Sequence, residues 1–212
     1  MFTYAKRIKW CIIEWNCQAG SDMTVEIELK ARLDDVMPVK ERLSAVGDYY
    51  RSYNKLDTYW FSVHTAIPVV RIRREHGLDK NGAAFESVLV TYKAKEITGG
   101  IEISDEHEFS VSDAAIFEDM LSKLDLHKAI QKEKSGWAWT VTPEEAGLPF
   151  ILAELSLVKT LGWFLELEIL TASNDNQTVK DCRKRLLLLL EKLEIPMQRI
   201  EDRPYTTLLA ER

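Results

Sequence analysis

Like charges two residues apart recur along the sequence: acids at Glu26/Glu28, Glu106/Glu108 and Glu166/Glu168, bases at Arg71/Arg73, Lys93/Lys95 and Lys132/Lys134. In a strand, residues two apart share a face, so each pair sets two equal charges side by side. Two carboxylates ~7 Å apart repel by about 2 kcal/mol at an effective dielectric of 20, so several converging pairs need a cation. Oxygen donors of this kind select Mg²⁺, Mn²⁺ or Ca²⁺ over zinc. The bases need an anion for the same reason, and a row of Arg and Lys matches a polyphosphate whose oxygens also bind the metal. A metal–triphosphate complex satisfies both rows. The plain alternative is a half-buried sheet with a solvated polar face, but such a face usually mixes signs to gain cross-strand pairing. Here one set of strands carries acid pairs and another carries base pairs.

The elements that position these charges follow from the same alternation. Over residues 24–33, Glu26, Glu28, Lys30 and Arg32 point one way, while Val25, Ile27, Leu29 and Leu33 point the other. Asp34 or Asp35 is the expected cap of a helix over 36–46, with Pro38 in its first turn and Gly47 at its end. Strands are expected at 49–53, 56–63, 69–74, 85–95 and 104–111, followed by a helix capped at Ser112-Asp113 and running to Leu124. The pattern then restarts, with strands at 127–134, 137–141, 149–158 and 163–171 and a helix over 177–193, a loose internal repeat. If the charged face lines the inside of a closed sheet, the apolar face lies outside under the helices. Residues 1–23 have no clear period and read as an extension, with Met23 an alternative start; 24–212 reads as one domain.

Composition narrows the class. Hydrophobic residues at 46% and charged residues at 29% are ordinary for a globular protein and exclude disordered, collagenous and coiled-coil chains. The net charge of −6 disfavours nucleic acid and anionic membrane as partners. Cys11, Cys17 and Cys182 form no C-x-x-C pair, so free thiols and a cytoplasmic location are expected. Glu14 stops the apolar run at Trp10–Ile13 short of a secretion signal, and the leucines at 186–190 are too few to span a bilayer and read as a buried helix face. His64, His76, His107 and His127 lack paired metal spacing, and His107, between two acids, is expected to face outward.

Glu26-Ile27-Glu28-Leu29-Lys30 reads as E-x-E-x-K, and it is followed in order by Asp57-Thr58-Tyr59, Val70-Arg71-Ile72-Arg73, Thr91-Tyr92-Lys93, Glu106-His107-Glu108, Leu161-Gly162-Trp163-Phe164-Leu165-Glu166-Leu167-Glu168 and Arg203-Pro204-Tyr205. Over 24–209 this series resembles the CYTH family, the triphosphate tunnel metalloenzymes, which includes class IV adenylate cyclases, thiamine triphosphatases and inorganic triphosphatases. The resemblance implies an α+β fold: a closed antiparallel β-barrel tunnel of roughly eight strands with helices packed outside. It implies Mg²⁺ or Mn²⁺ as cofactor and a triphosphate-containing small molecule as partner. Glu26, Glu28, Glu166 and Glu168 would hold metal, with Glu106 and Glu108 adding acidic lining. Lys30, Arg71, Arg73, Lys93, Lys132 and Lys134 would grip phosphate, Glu26, Glu28 and Lys30 forming the catalytic strand. Arg203 is a candidate terminal phosphate ligand, and Lys95 reads as a solvated charge. Two positions depart from the family: Lys134, where many members carry Arg, loses the bidentate fork. Ser156 stands where many carry Asp and supplies no full charge, so Glu154, on the same face, is the candidate replacement. The activity implied is a metal-dependent triphosphatase; the alternatives are an adenylate cyclase and a non-catalytic polyphosphate-binding module.

Overall fold

The computed structural model describes residues 24–62, 64, 68–98 and 101–212. Strand β1 (Thr24–Leu33) leads into α1 (Met37–Val46), then β2 (Asp48–Ser62), β3 (Pro68–Asp79), β4 (Ala84–Thr98) and β5 (Ile101–Ser110). After α2 (Ala114–Lys123) come β6 (Leu126–Val141), β7 (Ile151–Val158), β8 (Gly162–Thr171), α3 (Asn176–Lys192), a 3₁₀ turn at Met197–Arg199 and α4 (Tyr205–Ala210). The fold is α+β, an eight-stranded antiparallel sheet curled upon itself with four α-helices among the described residues. The strand order is β1-β5-β4-β3-β2-β6-β7-β8, and β1 pairs with β8 as well as with β5, so the ladder returns to its start. Strands of the two expected half-repeats are thereby joined in one sheet.

β2 and β6 each fuse two expected strands. Register shifts after Tyr49 and Tyr59 let β2 bend without ending. The expected break at Ser135-Gly136 is instead a close approach: a Cβ on Gly136 would come within 1.9 Å of the Leu155 carbonyl oxygen of β7. The helix starts divide. Asp113 caps α2 as expected, accepting from the Ala115 and Ile116 amides at 2.8 and 3.1 Å. For α1 the cap position is Val36, which makes no side-chain bond; Asp35 accepts from the Met37 amide at 3.0 Å one position earlier, and Asp34 does not cap. The helix α4 has no counterpart among the expected elements, because six residues are too few to display a helical period.

The apolar core lies on the outer face of the sheet. Val25, Ile27, Leu29 and Ala31 of β1 and Leu165, Leu167 and Ile169 of β8 pack against Leu186, Leu189 and Leu190 of α3 and Leu43 of α1. On that face a second cluster sets Leu121 of α2 on Trp60, Ile72 and Val90, whereas a third, on the inward face beside Glu166, joins Tyr205 and Leu208 of α4 to Val158 and Phe164. Of the five-leucine run, Leu188 is exposed and its neighbours Leu186, Leu189 and Leu190 are buried, as an amphipathic helix requires. No described helix is long and apolar enough to cross a membrane. Cys11 and Cys17 lie outside the described residues, as do the side chains of Lys93, Lys95 and Glu106; Cys182 is a buried free thiol.

Candidate active site

The opposite face of the same strands is also buried, though no helix layer lies against most of it. Glu26, Lys30, Lys55, Asp57, Glu75, Lys132, Lys134 and Glu154 are each less than one-tenth exposed, so the curl of the sheet itself removes these charges from water. Ions buried in this way must be paired, since an unpaired one costs several kcal/mol. The pairing is dense. Arg73 grips Asp57 side-on, Nε to Oδ1 at 2.7 Å and a terminal nitrogen to Oδ2 at 2.9 Å, and Lys132 reaches the same Oδ2 at 3.0 Å. The sheet register dictates this, because Asp57 of β2 stands directly opposite Arg73 of β3 and Lys132 of β6.

A second group centres on Lys134. It donates to Glu154 Oε2 at 3.0 Å and to Glu166 at 2.8 and 2.9 Å. Lys55 donates to the other oxygen of Glu154 at 2.6 Å, and Arg51 pairs with Glu75 at 3.1 Å. Ser156 Oγ donates to Glu166 Oε1 at 2.9 Å and shares a 2.7 Å hydrogen bond with the Tyr53 hydroxyl. Tyr205 completes the set, donating to the same Glu166 oxygen at 3.0 Å, its ring 4.5 Å from Lys30 Nζ and 4.8 Å from Lys132 Nζ.

These contacts fix the protonation states. Burial, the largest single influence, would raise Glu166, but the attraction and hydrogen bond of Lys134 together with the attraction of Lys132 outweigh it and hold its carboxyl at about 2. Burial likewise opposes ionisation of Asp57 and Glu154; Arg73 with Lys132, and Lys134 with Lys55, overcome it and keep both acids well below the ordinary carboxylate range. Lys55 behaves differently: its burial outweighs the attraction of Glu154 and lowers it to about 8.

Toward the acidic strands the like charges do meet. Glu28 of β1 stands directly opposite Glu168 of β8, and Lys30 opposite Glu166. Like charges facing across a pair of strands are destabilising. Among the described residues, no three acidic, histidine or cysteine side chains converge as a ready-made metal cage. The Glu28/Glu168 pair nevertheless fits a hard cation, because Mg²⁺ is commonly held by one or two carboxylates with water and substrate phosphates completing its shell. On the basic side, a terminal nitrogen of Arg71 donates to Thr91 Oγ1 at 2.8 Å, and Thr91 donates to Glu108 at 3.0 Å. Lys30 donates to the Arg203 carbonyl at 2.7 Å, whereas the half-exposed Arg203 side chain is engaged by Glu201 at 2.8 Å and Glu211 at 3.2 Å. His107 is exposed, on the outer face, stacked with Tyr92.

The structure thus brings Arg73, Lys132, Lys134, Glu154 and Glu166 into one interior and corrects the expected segregation of signs. Asp57 and Glu75 sit among the bases, and the positive charge that Glu154 and Glu166 require comes from the chain itself, Lys134 reaching both and Lys55 reaching Glu154. The register sets Lys93 opposite Glu106. Spacing of equal charges does not reveal Arg51, Tyr53, Lys55, Asp57, Glu75 or Tyr205, since Lys55/Asp57 and Arg73/Glu75 are pairs of opposite sign. The alternation Arg51, Tyr53, Lys55, Asp57 carried the signal that these residues share the inward face.

No protein-family model matches the sequence, and no curated protein sequence matches it. Solved structures do. The PH1819 protein of Pyrococcus horikoshii OT3 superposes with a TM-score of 0.69 at 21% identity, covering 88% of this chain and 98% of that one. A proposed adenylate cyclase from Vibrio parahaemolyticus gives 0.67 at 15% identity, over 87% and 97% of the two chains. The proposed adenylyl cyclase HpAC1 from Hippeastrum gives 0.51 at 12% identity, over 82% and 89%. At these identities the likeness is one of fold, and the fold is that of the triphosphate tunnel proteins, as the ordered motifs implied.

Proposed function

We propose that this chain is a divalent-metal-dependent triphosphatase that takes a triphosphate into the charged interior of its curled sheet. The observation that carries the reading is that one inward face carries the buried cations Lys132 and Lys134, the half-buried Arg73 and the half-buried, opposed carboxylates Glu28 and Glu168. HpAC1, which shares this fold, has a dominant triphosphatase activity, and that favours the same reaction here.

In this reading Glu28 and Glu168, with Glu26 beside Glu28 on β1, hold the metal, which when bound neutralises phosphate oxygens and polarises the phosphoryl group. Arg71, Arg73, Lys93 and Lys132 bind and orient the phosphate chain and neutralise charge developing on the leaving phosphate. Lys30 sits between the acidic and basic groups, its position fixed by the Arg203 carbonyl and the Tyr205 ring. Glu154 and Glu166, each held by Lys134, orient that lysine rather than bind metal. Arg203, held by Glu201, serves the site through its backbone carbonyl.

A cyclase reading shares the scaffold and draws on the Vibrio parahaemolyticus likeness. Incubation with inorganic triphosphate, thiamine triphosphate and ATP, each with Mg²⁺ or Mn²⁺, separates the two by product, orthophosphate against cyclic AMP and pyrophosphate. Triphosphate binding without turnover under any divalent cation marks a non-catalytic module and defeats both. For the metal role, Glu168→Gln should abolish divalent-dependent turnover while raising the metal-free melting temperature, because it relieves repulsion from Glu28. Unchanged turnover and metal dependence in this variant would remove the assigned acidic pair.

A further inference from the structure

Asp57 is fully buried, 0% exposed, and among the described ion pairs it is the carboxylate common to Arg73 and Lys132. Its strand stands between theirs, so it reaches both from the wall of the sheet through direct cross-strand registers. The pairing with Arg73 is side-on, through Nε and one terminal nitrogen, which leaves the second terminal nitrogen outside the carboxylate fork. Lys132 gives Asp57 one ion pair and turns its ammonium toward the Tyr205 ring, which Lys30 also approaches. Two cations on flanking strands would repel each other; a shared carboxylate behind them holds them together with their remaining donors directed elsewhere.

We propose that Asp57 is a positioning residue that presents Arg73 and Lys132 as a preassembled cradle for one phosphate group of a polyphosphate. The inference rests on the triphosphate reading of the interior. Asp57 touches no substrate in this scheme; it fixes the guanidinium plane and the lysine rotamer before the anion arrives, so that little ordering is left to binding.

The test uses the full chain and inorganic tripolyphosphate as probe, titrated calorimetrically without divalent cation, so that no turnover accompanies binding, and well below the melting temperature of each variant. Asp57→Asn should weaken binding about tenfold or more, the loss expected when a charge-assisted pair is broken. Arg73→Lys keeps the charge but loses the fork; it should weaken binding similarly, and the Asp57→Asn/Arg73→Lys double variant should fall little further, since both changes break one arrangement. A purely structural Asp57 would lower the melting temperature and leave the affinity of the folded molecules, and the coupling with Arg73, at zero change. Wild-type or tighter affinity in Asp57→Asn overturns the proposal, tighter binding marking Asp57 as a competitor of the anion. If Asp57→Asn does not fold, full affinity in Arg73→Lys overturns it equally. Full affinity in both Arg73→Ala and Lys132→Ala would instead defeat the triphosphate reading itself, so the two failures are distinct.

Discussion

Glu154 touches two lysines and Lys134 touches two carboxylates, so the interior acids are ionised because the fold brings bases to them. That arrangement gives stability a definite pH dependence. Asp57 and Glu154 are held well below their ordinary values and Glu166 at about 2, whereas unfolded carboxyls titrate near about 4. A depressed folded value means that the unfolded chain binds protons first as pH falls. The contribution is therefore complete above the unfolded values and drains away between about pH 5 and about pH 2. Urea unfolding at a series of pH values should show the midpoint falling steeply through that window, and less steeply in Glu166→Gln; a flat profile would contradict the pairing. The pairs of equal charge were readable in the sequence because a two-residue period needs no knowledge of partners. The pairing of Lys134 with Glu154 and Glu166 was not, since it depends on which of β6, β7 and β8 lie side by side and at what register.

At the scale of elements, the strands do two jobs on their two faces. Leu165, Leu167 and Ile169 of β8 belong to the core under α3, while Glu166 and Glu168 between them face the interior. The core should therefore set stability without setting ligand chemistry. Leu186 of α3 is fully buried in that outer layer, and Leu186→Ala should cost about 2–5 kcal/mol in urea unfolding. The same variant should keep its tripolyphosphate affinity when measured below its melting temperature; a parallel loss of affinity would mean that the helix layer shapes the site. The alternation of β1 and the cap of α2 were legible from local spacing. The continuity of β2 and β6 was not, because bulges and the close approach at Gly136 are properties of the neighbouring strands rather than of the segment.

For the whole molecule, the interior cations are enclosed in a chain of net charge −6. An approaching polyanion meets a repulsive far field before any attractive near one. Association of metal-free tripolyphosphate should accordingly speed up as ionic strength rises from about 10 mM to about 150 mM, as screening shortens the repulsion to under about a nanometre. The Mg²⁺ complex, carrying less charge, should respond more weakly. Stopped-flow traces showing equal salt dependence for both forms, or slowing with salt, would contradict this. The sequence disclosed the net charge and the ordered motifs from which the curled sheet followed; where the opposite charges collect within it required the register of all eight strands.

The shared partners of Glu154 and Lys134 also constrain how such a protein can change over generations. A substitution that removes one member strands a charge that water cannot reach, so a lineage altering what the interior accepts meets a loss before any gain. Exchanges that cancel, such as Lys55→Met together with Glu154→Gln, leave Lys134 matched to Glu166 and cross that valley in two steps whose effects do not add. Neutral drift should be slow at these inward positions taken singly and permitted at them in compensated sets, while the solvent-facing side of α3, around the exposed Leu188, varies one residue at a time.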